Sequence, residues 1–190
     1  MIKTEIRKKT DASDLVRIAA GAALIAICSW ISIPTAVPFT LQTFAVFLLL
    51  LLFGGERGTL SVAVYILIGL TGLPVFAGFA GGPAVLFGKT GGYILGFILT
   101  GLIYLLFTKL WGRKLMIEIP ALILGLAVCY AAGTAWFTHI YSRDTGSAGI
   151  LTVLGWCVFP FIVPDMVKLA LAVAASKILK AYRIGLPDQK

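Results

Sequence analysis

Residues 41–70 read LQTFAVFLLLLLFGGERGTLSVAVYILIGL. Two apolar runs, 41–53 and 59–70, flank the polar turn 54–58. A thirteen-residue helix at about 1.5 Å per residue covers only about 20 Å, against a hydrocarbon core of about 30 Å. The turn holds both runs at one surface, so the missing length falls on the opposite side. There the chain places 33–40, which includes Pro34 and Pro38, and 71–90, rich in glycine. Irregular backbone persists at membrane depth only where protein buries it or a wet cavity lines it. Two short helices beneath two irregular loops therefore predict a small-molecule cavity in one half of a membrane bundle.

Working outward, the same apolar character continues to both ends. The 190-residue chain is 59% hydrophobic and 13% charged, with mean hydropathy +1.00. About 25% charged is usual for a soluble domain, so an integral membrane protein is expected. Six helices are predicted: 15–33, 41–53, 59–70, 91–110, 119–141 and a last one mainly over 164–182. The apolar segment 150–163, bounded by Pro160 and Pro164, reads as a separate short helix or a re-entrant piece. The expected organisation is all-α, one membrane domain over 1–190, with cytoplasmic tails at 1–13 and 183–190.

The basic residues orient the bundle. With the N-terminus inside, 13 of the 16 Lys and Arg fall on inner segments, leaving Lys89, Arg143 and Lys168 outside. That bias puts both termini in the cytoplasm and requires an even number of spans. It also accounts for the net charge of +8. Basic residues spread over inner loops do not form a nucleic-acid surface.

Asp165 and Lys168 are the least expected residues in the outer half. They share one helical face at i and i+3, immediately after Pro164. Pro164 suits the first helical position, where Asp165 would complement the positive end of the helix dipole. Intramembrane ionisable groups generally face the bundle interior and mark a site or pathway. A ligand site and an internal ion pair are both open readings. Lys89, within Gly88-Lys89-Thr90, superficially resembles the end of a phosphate-binding loop. That motif needs glycine where Pro83 stands, so it is excluded. Lys89 reads either as a solvated loop lysine or as a cation for a ligand carboxylate. Gln42 and Thr40, at the mouth of the second helix, can read a polar ring edge, with helix capping the alternative for both. Tyr93, Phe79, Phe39 and Trp156 are candidate walls, and Gly82 permits close backbone approach. Gly88, Gly92 and Gly96 recur every four residues, a spacing for close helix packing.

Ala19, Ala22, Ala23 and Ala26 on the first helix form small-residue spacings suited to packing, within this chain or against another membrane subunit. Cys28, Cys129 and Cys157 are far apart in apolar sequence and read as buried small hydrophobes. His139, the single histidine, has no partner at ligand spacing, so no metal site is expected. No HExxH or GxSxG motif occurs, and no enzyme is expected.

Val37-Pro-Phe-Thr-Leu-Gln-Thr-Phe44, the Gly69-Leu-Thr-Gly-Leu-Pro-Val-Phe-Ala-Gly78 run, Thr90-Gly-Gly-Tyr93 and Pro164-Asp165-x-x-Lys168 together resemble the BioY family. These are the biotin-specific S components of energy-coupling factor (ECF) transporters. The resemblance runs from the first helix to Lys180. It implies the S-component fold with long outer loops, and high-affinity capture and uptake of biotin across a prokaryotic cytoplasmic membrane. It implies substrate contacts from Asp165, Lys168, Gln42, Thr40, Phe79, Gly82, Lys89 and Tyr93. It also implies a transmembrane coupling subunit, docked in part through the alanine-rich first helix, and two cytoplasmic ATPases. ATP would be used by those partners, with no cofactor on this chain. The family most often has proline where Lys89 stands. An S component for a thiamine- or riboflavin-like vitamin is the alternative.

Overall fold

The computed structural model describes residues 12–35, 37–146 and 149–182, so most of both tails expected from the sequence lies outside the described residues. Five helical segments are long and apolar enough to cross a membrane. In chain order the elements are α1 (Ala12–Trp30), β1 (Ser32–Ile33), β2 (Phe39–Thr40), α2 (Gln42–Leu70), a 3-10 turn at Ala77–Phe79, α3 (Pro83–Leu86), α4 (Gly91–Trp111), α5 (Leu115–Thr145), α6 (Ile150–Cys157) and α7 (Phe159–Ala181).

α2 is folded back on itself. Gly54 has φ +83° and ψ 172°, a left-handed conformation that a side chain would resist. Beyond it the second arm returns along the first. Gly58 lies against the Leu50 backbone, and the Gln42 side-chain amide reaches the Tyr65 hydroxyl at 2.6 Å. Counting the two arms separately gives six apolar passes, although the second arm starts at the turn rather than at residue 59. This hairpin is the centre of the molecule. Of its apolar stretch 78% is buried, against 28% to 39% in the other four segments. α1, α4 and α7 pack around it, and α5 packs on α4. Gly92 and Gly96 let α4 close on α5, facing Trp136 and Cys129. Gly88 lies before α4 and takes no part in that face.

The outer helices leave large apolar side chains uncovered, among them Val16, Ile27, Leu102, Leu106, Val163 and Leu171. Such a belt belongs against lipid. At one end of the bundle, Asp14 pairs with Arg57, Glu56 with Lys109 and Glu118 with Arg113. Lys180 lies within electrostatic reach of Glu118 and Arg113. Both described ends of the chain therefore share the basic face expected to be cytoplasmic.

The opposite end carries the irregular segments. Ser32–Ile33 and Phe39–Thr40 pair as a small antiparallel ladder, Ser32 opposite Thr40, with the Thr35 hydroxyl donating to the Val37 carbonyl. This is a minor departure from the all-α expectation. The 71–90 segment is tied down at several points. The Phe76 ring packs edge-on to Tyr65 at 5.4 Å, and Trp30 Nε1 donates to the Pro74 carbonyl at 2.8 Å. Gly82 N–H donates to the Gly69 carbonyl at 2.8 Å.

The last third corrects the sequence reading. α6 is a separate short helix, but 159–163 belongs to α7. Pro160 occupies the first helical turn and Pro164 lies inside the helix. Asp165 is therefore not at a helix start, and the dipole argument does not apply to it.

Candidate functional site

A cavity of about 390 Å³ lies under the irregular segments, between the mouth of α2 and helices α4, α5 and α7. That volume falls within the range of about 300–1,000 Å³ typical of small-molecule sites. Its cover comes from Val37 and Pro38 on one side and from Ala77, Ala80, Ala84 and Val85 on the other. Tyr93, Ile94 and Phe97 of α4, Leu126, Cys129 and Tyr130 of α5, and Phe161 of α7 form apolar walls. The two cysteines on its surface, Cys129 and Cys157, are free thiols and buried.

Asp165 and Lys168 face this cavity and each other. Lys168 Nζ donates to Asp165 Oδ1 at 2.7 Å, with side chains only 5% and 3% exposed. Tyr130 takes the second carboxylate oxygen, its hydroxyl donating to Oδ2 at 2.5 Å. The Lys168 ammonium sits 4.1 Å from the centre of the Phe39 ring, and Phe39 stacks on Phe161 at 5.8 Å. An ammonium over a desolvated aromatic face gains a cation–π attraction. The carboxylate thus receives two charge-assisted hydrogen bonds inside an apolar shell, a fixed arrangement with oxygen lone pairs still available.

The polar mouth of α2 is equally ordered. Thr40 Oγ1 accepts from the Gln42 backbone N–H at 3.2 Å and donates to Gln42 Oε1 at 3.0 Å. Thr40 therefore does what a capping hydroxyl does and also orients the amide, whose nitrogen is fixed by Tyr65. Tyr93 is held by a 2.9 Å hydrogen bond between its hydroxyl and Thr134 Oγ1. Lys89 lines the rim, its Nζ 5.2 Å from the centre of the Tyr141 ring. The backbone beside it is fastened to α5 by Trp136 Nε1, which donates to the Gly88 carbonyl at 2.9 Å.

Six of the eight residues expected to contact a ligand thus meet around one cavity: Asp165, Lys168, Gln42, Thr40, Lys89 and Tyr93. Phe79 and Gly82 do not line it. Phe79, at φ +57°, points out of the molecule, 63% exposed, and stacks on Trp30 at 5.2 Å. Gly82, at φ +89°, is the turn into α3. Trp156 is exposed and lies against Tyr141 outside the cavity, and Phe39 acts through Lys168 rather than as a wall. Ala22 and Ala26 are buried inside the bundle, which leaves Ala19 and Ala23 on the exposed side of α1. Among the described residues no cluster of three His, Cys, Asp or Glu has metal-binding geometry.

Sequence reasoning missed Tyr130. A signal was present. A tyrosine in the middle of an apolar span must find a partner for its hydroxyl, and Asp165 is the acid available in the same half of the bundle.

The family model described as the BioY family matches residues 3–184. The biotin transporter BioY of Thermotoga maritima is 39% identical over 171 residues, covering 90% of this chain and 97% of that protein. The biotin transporter BioY2 of Lactococcus lactis is 34% identical over 167 residues, covering 85% and 86%. A crystal structure of the S component for biotin from an ECF-type ABC transporter superposes with a TM-score of 0.75 at 29% identity, covering 88% of this chain and 90% of that one. With its apolar helical segments and this match, the chain is a multi-pass protein of the prokaryotic cell membrane with the S-component fold, and it belongs to the BioY family.

Proposed function

We propose that this protein takes up biotin as the substrate-binding S component of an ECF-type transporter. The observation that carries the reading is the buried Asp165–Lys168 pair on the wall of a roughly 390 Å³ cavity in a BioY-family fold. Biotin has a ureido ring with two N–H donors and one carbonyl acceptor, an apolar thioether ring and an anionic tail. Asp165 and the Gln42 amide oxygen supply acceptors for the ring donors. Tyr93, Phe97 and Phe161 supply apolar walls. Lys168 and Lys89 supply positive charge for the carbonyl and the tail. Biotin enters from the outer side and is held beneath the 71–90 and 33–40 segments.

A transmembrane coupling subunit and two cytoplasmic ATPases complete this reading. They hydrolyse ATP and reorient the S component to release biotin inside. The exposed side of α1, with Ala19 and Ala23 between Val16 and Ile27, is a flat face of the kind close helix docking requires.

Calorimetric titration of detergent-purified, ligand-stripped protein with biotin, thiamine and riboflavin tests the substrate. Saturable one-to-one binding of biotin alone is expected. Folded protein that ignores biotin and binds another of the vitamins would overturn the assignment.

A further inference from the structure

A second cavity, about 380 Å³, lies at the opposite, basic end of the bundle, between α1, the turn of α2 and the end of α4. Its charged lining is Asp14, Glu56, Arg57, Lys109 and Arg113. Three cations face two carboxylates on the lining, and with Glu118 and Lys180 beside Arg113 the count becomes four against three, so at least one positive charge is in excess.

The two guanidinium groups are held rigid by part of their donors and keep the rest. Arg57 uses Nε and Nη2 on the Asp14 carboxylate, at 2.8 and 3.0 Å. Arg113 uses Nε on Glu118 at 3.3 Å and Nη2 on the Leu51 carbonyl at 2.7 Å. Among the described residues neither Nη1 has a hydrogen-bond acceptor. Nη1 of Arg113 stands at the cavity wall beside Gly54, 3.2 Å from where a Cβ would be, so the glycine leaves it uncovered. The third cation, Lys109, is paired with Glu56 at 3.1 Å, but both side chains are largely exposed and such a pair exchanges readily. Two preorganised guanidinium groups and a mobile ammonium around one cavity suit a singly charged anion with several acceptor oxygens.

The surroundings narrow the class further. Leu60 borders the cavity and remains 49% exposed, and Leu106 and Leu110 continue the apolar surface of α4 near its end. A soluble anion has no use for that surface, whereas an acyl chain does. We infer that this cavity binds the phosphodiester headgroup of an anionic phospholipid from the cytoplasmic leaflet, with its chains along α4. Basic pockets between helices at that membrane face recognise such headgroups.

Native mass spectrometry of the detergent-purified full chain, with phosphatidylglycerol or phosphatidylcholine of identical chains, tests this. One phosphatidylglycerol should be retained with at least a tenfold preference. Lys109→Gln, at the surface, should weaken that preference severalfold, and Lys109→Gln with Arg57→Gln should abolish it. Biotin titration should be unchanged in both variants, because neither residue lines the ligand cavity. Equal retention of the two lipids by the unaltered protein, or an undiminished preference in both variants, would overturn the inference. Displacement of the lipid by equimolar inorganic phosphate would overturn it too, in favour of a soluble-anion site.

Discussion

The two ends of the bundle use the same chemistry in opposite settings. At the outer end one carboxylate and one ammonium meet 2.7 Å apart with side chains at most 5% exposed, on the wall of an apolar cavity. At the inner end Glu56 and Lys109 meet at 3.1 Å with side chains 69% and 62% exposed. Water can replace either partner of the inner pair. Nothing in the apolar shell replaces either partner of the outer pair. Burying two charges costs more than their attraction generally returns, so a buried pair is poor evidence for stability. Under the proposed function, the Asp165–Lys168 pair serves a ligand that needs both groups desolvated and fixed.

This contrast can be broken at several points. The largest effect is expected from Asp165→Ala. It strands a buried ammonium, so biotin affinity should fall at least a hundredfold and unfolding stability by about 3–5 kcal/mol. Titration and thermal unfolding in detergent measure the two losses. A variant with unaltered affinity would remove Asp165 from the site. Tyr130→Phe should cost about ten- to a hundredfold in affinity, the loss of one charge-assisted hydrogen bond worth about 1.5–3 kcal/mol, with little change in fold. An affinity equal to the parent's would mean that Lys168 alone positions the carboxylate. Lys89→Ala should weaken biotin severalfold yet leave biotinamide, whose tail is uncharged, unaffected. Equal losses for both ligands would place Lys89 away from the tail. Lys109→Gln should change neither biotin affinity nor, by more than about 1 kcal/mol, stability. A large loss there would show that the inner pair, despite its exposure, is structurally essential.

Much of this architecture is legible in the sequence. The hairpin in α2 could be read because Gly54 and Gly55 interrupt two apolar runs too short to cross alone. The cavity follows from the missing length, and the gathering of charged groups at the other end from the asymmetry of Lys and Arg. Asp165, Lys168 and Gln42 were identifiable as polar groups with nowhere else to go. Direction was harder. Phe79 looks like a wall in a glycine-rich loop, but its positive φ turns the ring outward onto Trp30. Pro164 looks like a helix start, but Pro160 already fills that position and the helix carries the second proline internally. The alanines of α1 share small size, and only the neighbouring hairpin decides that Ala22 and Ala26 face in while Ala19 and Ala23 face out. Tyr130 and Asp165 lie 35 residues apart, and their bond is set by how α5 and α7 converge. A lone hydroxyl in an apolar span says that a partner is needed, and only that convergence decides which.

The most direct test separates the pair's structural role from its ligand role. In Asp165→Leu with Lys168→Met the buried charges are replaced together by apolar groups of similar size, a change that is often neutral or stabilising. Calorimetric titration of this double variant with biotin, after thermal unfolding has shown it folded, should give no detectable binding. Parental affinity in the folded double variant would contradict the account and reduce Asp165–Lys168 to an internal ion pair beside someone else's site.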